Sequence, residues 1–207
     1  MAEIPDQEIT LAHRGVLFLD EMPEFSRRSL EILRQPLEDK VIRISRVYGT
    51  YDFPADFMLC AAMNPCPCGH YPDMNRCRCT PAQVMQYLGR ISQPLLDRLD
   101  LCAEVSPVDF EGLSSGRKGE STQTIRERVI CAQDIQRERY KIEGIQFNGE
   151  LSGAQIEKYC KMEKDARQLL KMAFQNMPFS ARAYHRILKV ARTIADMEAT
   201  ESIHRHH

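Results

Sequence analysis

The stretch Gly15-Val16-Leu17-Phe18-Leu19-Asp20-Glu21 constrains the fold more than any other. Four apolar residues run straight into two adjacent carboxylates. A short unbroken apolar run suits a strand buried on both faces, as in a parallel sheet covered by helices. Ligands of such sheets sit just beyond the carboxyl ends of the strands, where Asp20 and Glu21 fall. Neighbouring carboxylates can divide labour there. One holds Mg²⁺ directly or through its water, and the other orients and deprotonates an attacking water. That division is the form of a Walker B element, although a plain strand ending in a solvated turn has the same residues.

A chain of 207 residues can bury a core and hold one domain, or a domain with a small satellite. Its net charge of −1 supplies no global field for nucleic acid or membrane, so any nucleic-acid contact must come from a local patch. No apolar run approaches a membrane span, and Met1-Ala2-Glu3-Ile4-Pro5-Asp6 lacks the basic start and apolar middle of a signal peptide. Of the eight cysteines, Cys60, Cys102, Cys131 and Cys160 stand singly, where reduced cysteine acts as a small hydrophobe. The other four are clustered. This usage points to a reduced, cytoplasmic protein with one candidate metal site.

Along the chain, Ser26 can cap a helix with Leu30, Leu33 and Leu37 on one face, which Pro36 should end or kink. Val41 to Phe53 alternates and is rich in β-branched residues around Gly49, so it reads as a hairpin. Arg43, Ser45 and Val47 share one hairpin face; Ile42, Ile44 and Arg46 share the other, with Arg46 near the turn. Phe57 to Met63 reads as a second buried strand ending in Asn64-Pro65. A polar amide there could orient a water or touch a phosphate oxygen; alone it would simply open a turn.

Cys66, Cys68, Cys77 and Cys79 follow in the pattern C-x-C-x₈-C-x-C, with His70 inside. Four thiolates in so short a span could close a tetrahedral Zn²⁺ site and knot an otherwise unsupported loop. The C-x-C pairs depart from the two-residue spacing of the usual zinc knuckle, and free thiols or a facultative disulfide are the alternatives. Thr80 and Pro81 should start a helix. Leu101 to Val105 reads as a third strand, with Arg98 just before it. Arg98 fits either a surface ion pair with Asp97 or Asp100 or a guanidinium offered to a neighbour's phosphates.

The Gly/Ser-rich stretch 111–122 marks a domain boundary, after which the pattern is helical. Ile125, Val129, Ala132 and Ile135 mark a first helix. Leu169, Leu170, Ala173, Phe174 and Met177 mark a later one, and Tyr184, Ile187, Leu188, Ala191, Ile194 and Ala195 the last. Ser180 can cap the last helix, with Arg182 in its first turn, where a cation opposes the helix dipole. The tail His204-Arg205-His206-His207 has the composition of a tag remnant or a metal-binding stretch, but it is too short and irregular to carry either reading. Gly144 to Gly149 has the glycine spacing of a phosphate loop, but Glu150 and Leu151 stand where Lys and Ser/Thr are required, so the match is rejected.

Together these stretches resemble the AAA+ ATPases of the magnesium-chelatase-like group, and within it the ComM/YifB family. The residues that carry the resemblance are Leu11 to Phe25, Ala61 to Gly69, Leu88 to Leu101 and Ser180 to Arg186. The resemblance implies an α/β fold: the later part of a P-loop core over 1–110 with parallel strands and a hairpin insertion, a linker at 111–123, and an all-α lid over 124–207. It implies that Asp20 holds Mg²⁺, Glu21 activates water, Asn64 is sensor 1, Arg98 is an arginine finger, and Arg182 is sensor 2 reaching ATP from the lid. It further implies that the hairpin, with Lys40, Arg43 and Arg46, contacts DNA in the pore of a hexameric ring.

Family members carry a Walker A loop upstream of the Walker B strand, and their lid continues past the position of His207. The chain therefore reads as a fragment, expected to be monomeric and inactive by itself because the β- and γ-phosphates lose most of their ligands. The implied activity of the parent is ATP hydrolysis coupled to moving DNA, as a helicase or in branch migration. Two alternatives stand beside it: an ATPase subunit for magnesium insertion into a tetrapyrrole, and a non-enzymatic, zinc-stabilised interaction module.

Overall fold

The computed structural model describes residues 3–106, 114, 119–177 and 179–207. They divide into two compact units, Met1–Leu101 and Cys102–His207. The first is α/β and the second helical, so the expected architecture of a partial P-loop core and a helical lid is present. Most of the 111–123 linker lies outside the described residues.

The first unit begins with α1 (Asp6–Leu11), which buries Ile9, and runs into β1 (Val16–Leu19). β1 pairs in parallel with β4 (Met58–Ala61), in the register Val16 to Met58 through Leu19 to Ala61. Leu17 and Leu19 turn into a core with Ile4, Ile9, Met22, Leu30, Leu33, Ile42, Ile91 and Leu95. The other face of the pair is bare: Val16 is 53% exposed, Phe18 59% and Met58 63%, and Cys60 is exposed as well. The expectation of strands buried on both faces is therefore corrected. Strand alternation sends every second side chain outward, and among the described residues nothing packs over that side.

Ser26 caps α2 (Arg27–Ile32), its hydroxyl accepting the Ser29 N–H at 3.1 Å. The helix breaks at Leu33 and resumes as α3 (Arg34–Asp39). Pro36 explains the break, because it has no N–H for the Ile32 carbonyl one turn earlier. Lys40 follows in the left-handed region (φ 59°) and is the only residue between α3 and β2 (Val41–Arg46). β2 and β3 (Gly49–Pro54) form the expected hairpin, with Arg46 opposite Gly49 at the turn. Thr80 and Gln83 form a reciprocal cap on α4 (Pro81–Leu88), and α5 (Gln93–Leu96) closes the unit. The third strand expected at 101–105 does not form: these residues have no partner strand, and Leu101 and Val105 are exposed.

The second unit holds α6 (Thr122–Arg139), α7 (Gly153–Tyr159), α8 (Lys164–Asn176) and α9 (Ala181–Met197). Ser180 caps α9 as expected, and Leu188, Ala191 and Ala195 bury its stripe against Tyr140, Leu151, Ile156, Cys160 and Ile203. The first helical stripe is corrected, and the later one is half-buried, with Leu170 packed on the same core and Phe174 edge-on to Tyr184. In α6 only Ala132 and Gln136 are buried, while Ile125 and Val129 face out; in α8 only Ala166 is buried. Cys131 is likewise exposed, as is Cys102, so only Cys160 behaves as the buried hydrophobe expected of the single cysteines.

The centre of this unit is ionic. Asp196, 1% exposed, accepts Arg139 Nη1 at 2.8 Å, Asn148 Nδ2 at 2.9 Å and Arg192 Nε at 3.1 Å; Arg139 Nη2 donates to it too. Tyr140 donates to Asn148 Oδ1 at 2.5 Å, and the Asn148 N–H reaches Gln136 Oε1 at 2.9 Å. Arg192, fully buried, also caps the carbonyls of Thr200 and Glu201 at 2.5 Å each. Stripping the carboxylate would leave the buried Arg192 guanidinium and the half-buried Arg139 guanidinium without their carboxylate. Asp196→Ala is therefore expected to lower the unfolding free energy of this unit by about 3–5 kcal/mol, read from urea transitions. A loss below about 1 kcal/mol would show that the network holds little.

Candidate functional site

Two backbone hydrogen bonds bring the carboxyl ends of β1 and β4 together: Ala62 N–H to Leu19 O at 2.9 Å and Met22 N–H to Ala62 O at 3.0 Å. Asp20, Glu21 and Asn64 are thereby carried to one edge, all three exposed. The Asp20 carboxylate accepts the Glu21 N–H at 3.0 Å. Glu21 itself sits in the left-handed region (φ 50°, ψ 47°). For a residue with a Cβ that backbone costs about 1–3 kcal/mol and persists only where the surroundings over-determine it. The determinants are visible: Met22 and Pro23 bury the 3₁₀ turn directly after it.

Two further residues belong to this edge, and no isolated sequence pattern singles them out. Arg90 donates Nη1 to Pro23 O at 3.1 Å and to Glu24 Oε1 at 3.0 Å, and lies over the Tyr87 ring at 5.7 Å. Tyr87 is buried; desolvation pushes its hydroxyl pKa up, and the charges of Glu24 and Glu21 add to that. Arg90 and Tyr87 thus strap the turn behind Glu21 to α4.

Within the first unit, Arg98 makes its contacts on α3 and α5. Arg98, its side chain 14% exposed, donates Nε to Arg34 O at 3.1 Å and Nη1 to Pro94 O at 2.6 Å, and Nη2 to Glu38. It thus pairs with the Glu38 carboxylate of α3, where the sequence offered Asp97 or Asp100. Arg182 is an exposed residue in the first turn of α9, within the second unit.

The basic character expected of the hairpin is largely internal. Arg43 forks onto Asp52 across the strands, Nε to Oδ1 at 2.8 Å and Nη2 to Oδ2 at 3.0 Å, and the same hydrogen bonds lower the Asp52 pKa. Lys40 Nζ stands 3.3 Å from Asp56 Oδ1. Arg46 ends β2 at the turn. The two turn residues are exposed and apolar: Val47 at 95% and Tyr48 at 94%.

The four clustered thiols converge. Cys66 Sγ lies 3.4 Å from Cys68 Sγ and 3.9 Å from Cys77 Sγ, Cys68 Sγ lies 3.6 Å from Cys77 Sγ, and all four sulfurs fall within 4.8 Å of one another. Four sulfurs each 2.3 Å from a tetrahedral zinc stand roughly 3.8 Å apart, so the donor set fits a metal ion of that kind. The Tyr71 N–H points at Cys66 Sγ from 3.4 Å. Backbone donors at His70 and Arg78 pull the Cys68 pKa down to about 6. Desolvation opposes ionisation of Cys66, yet N–H groups of Tyr71, Cys68 and His70 hold its pKa below the ordinary thiol value. Desolvation and the neighbouring thiols push Cys79 up to about 12. A second donor group is Glu198 with His206 and His207, whose Nε2 atoms lie 2.9 and 3.1 Å from Glu198 Oε2. The His204 N–H donates to His207 Nδ1 at 2.9 Å, which leaves the proton of the neutral ring on Nε2 and makes that atom a donor to Glu198.

Comparison with known families decides the relationship. The family model for magnesium chelatase, subunit ChlI, matches residues 2–113, and that for the ChlI C-terminal region matches residues 119–207. The chain belongs to the magnesium chelatase ChlI family. It is 47% identical over 202 residues to the uncharacterized protein YifB of Salmonella typhimurium, covering 97% of this chain and 39% of that protein. It is 46% identical over 201 residues to the competence protein ComM of Haemophilus influenzae, covering 97% of this chain and 38% of that protein. The chain therefore spans about two-fifths of the length of these relatives. Among the described residues no helix is long and apolar enough to cross a membrane.

The thiol chemistry gives a direct check. In metal-free, reduced protein at pH 7, Cys68 is expected to be alkylated by iodoacetamide before Cys79, as mapped by peptide mass spectrometry. Equal labelling of the two would contradict the hydrogen-bond pattern around Cys68.

Proposed function

We propose that this family member is the later part of a nucleotide-hydrolysing AAA+ motor whose parent forms a hexameric ring in the cytoplasm and acts on DNA, in helicase or branch-migration activity. The observation that supports this most is the convergence of Asp20, Glu21 and Asn64 on one strand edge, with Glu21 held in a strained backbone. On this reading residues 1–110 are the core segment, 111–123 the linker and 124–207 the lid. The donors fit the metal side of the site: Asp20 would hold Mg²⁺, Glu21 would take the proton of the attacking water, and Asn64 would orient that water. When bound, Mg²⁺ and ATP supply the electrophile and its charge neutralisation. Arg98 and Arg182 carry the finger and sensor 2 roles, and Zn²⁺ is the structural ion of Cys66, Cys68, Cys77 and Cys79.

The sequence of this chain holds no complete phosphate loop. Gly144 to Gly149 provides no cradle, because Asn148 is buried in the Asp196 network and the Glu150 carboxylate accepts the Gln146 N–H at 2.8 Å. The 207-residue chain by itself is therefore expected neither to bind ATP tightly nor to hydrolyse it.

In the full-length parent, Glu21→Gln should lower kcat by about 10²–10⁴-fold, the usual loss on removing a general base, with KM changed far less. DNA should stimulate the wild type. Hydrolysis unaffected by Glu21→Gln would overturn the reading in favour of a zinc-stabilised interaction module. Glu21-dependent hydrolysis indifferent to single-stranded and branched DNA would favour the second reading, an ATPase subunit for magnesium insertion into a tetrapyrrole, which the family description supports.

The hairpin gives an independent test. Because Asp52 occupies Arg43, Asp52→Asn should free a guanidinium for phosphate. It should tighten single-stranded DNA binding by the chain and steepen its salt dependence by roughly 0.7 in log–log slope. No change in slope would remove Arg43 from the DNA-contacting set.

A further inference from the structure

The thiol cluster closes a loop with little regular structure between two parts of the carboxylate edge. At one end, Cys66 follows Asn64 by two residues; it is the one fully buried thiol of the four, and its carbonyl accepts the Gly69 N–H at 3.0 Å. At the other end, Cys79 directly precedes Thr80, the cap of α4, and α4 carries Tyr87 and borders Arg90, the strap behind Glu21. Within the loop, Gly69 adopts φ +78°, and a Cβ built there would stand 3.9 Å from Asn64 Oδ1 and 4.0 Å from Asn64 Cγ. The Asn64 amide therefore lies against the backbone of the C-x-C-G turn, and its position depends on how that turn is held. A loop of this kind has little apolar burial to hold it, so the binding energy of a structural ion becomes its folding energy.

We propose that a zinc ion bound by Cys66, Cys68, Cys77 and Cys79 is a positioning device for Asn64: the tetrathiolate clamps the turn on which the Asn64 amide rests and fixes the start of α4 relative to the Asp20–Glu21 edge. All four sulfurs bind as thiolates, those still protonated releasing their protons to solvent, so the ion's two positive charges meet four negative ones and the centre carries two negative charges. Arg76 and Arg78 flank Cys77 in the same loop. What Asn64 does for a substrate rests on the reading above; where its side chain is held does not.

The test uses the unaltered 207-residue chain. Its metal content is measured after purification without chelator, and Co²⁺ is exchanged in to read the visible spectrum of a tetrahedral thiolate site. The side-chain amide resonances of Asn64 and hydrogen exchange over 62–88 are then compared in the zinc-loaded chain, after removal by a thiol-competing chelator under reducing conditions, and after zinc is added back. One zinc per chain is expected, with a tetrathiolate cobalt spectrum. Metal removal should move the Asn64 resonances and speed exchange across 62–71 by at least about tenfold, reversibly, while the hairpin at 41–54 and the second unit keep their rates. Cys77→Ser should reproduce the metal-free state. Absence of a tetrathiolate metal signature would overturn the proposal, and so would a bound metal whose removal leaves the Asn64 resonances in place. Neither result touches the ATPase reading, which stands or falls on Glu21→Gln in the parent.

Discussion

The first unit depends on two backbone hydrogen bonds, Ala62 to Leu19 and Met22 to Ala62. They extend the β1–β4 pairing past the last ladder residue and make the chain turn sharply after Leu19. That turn forces Glu21 into a left-handed backbone, which a buried Met22 and Pro23 then hold in place. Without the stitch, Asp20 and Glu21 would be two solvated acids on a turn. With it, they share an edge with Asn64, and one end of a two-stranded sheet becomes a place where a cation and a water could be held.

The second unit is organised by a different force. Its apolar stripes are thin: α6 presents Ile125, Val129 and Ile130 outward, and α8 fully buries only Ala166. Its specificity comes from a carboxylate between two guanidiniums with an asparagine and a tyrosine beside them. Removing two charges of one sign and one of the other from water is expensive, and the geometry repays it only because every polar atom of Asp196 is engaged. The arrangement fixes one register of α9 against the segment after α6, which an all-leucine interface would define less sharply.

Much of this was legible in the sequence because short-range physics controls it. The Ser26, Thr80 and Ser180 caps, the Pro36 break, the hairpin register at Arg46 and Gly49, and the convergence of four cysteines all follow from local chemistry. The carboxylate edge was legible as a motif. What was not legible depends on partners distant in sequence. Asp196 and Arg139 carry no pattern that announces their pairing, and a strand's outer face looks buried in sequence whether or not anything covers it. Leu101 to Val105 has strand composition, but composition supplies no neighbour to bond with. Likewise, counting Lys40, Arg43 and Arg46 as a basic patch ignores that Asp52 and Asp56 stand within hydrogen-bonding or ion-pair reach of two of them.

Arg98 shows how placement limits a role. A guanidinium that is to stabilise phosphate charge on another subunit has to leave whatever holds it at home. Here three of its nitrogens are engaged, two on carbonyls of α3 and α5 and one on the Glu38 carboxylate. Exchange of Glu38 for a phosphate is close to isoelectric for the arginine, so the cost falls on the carbonyls and on the end of α3 that it braces. Lys40 is the only residue between that end and the hairpin, and it bonds the far strand through Ala55 N–H at 2.8 Å. No slack segment separates the arginine's resting partner from the base of the hairpin. Glu38 stands three residues before Val41, the first residue of β2, so any rearrangement that released Arg98 from Glu38 would take place at the foot of the hairpin.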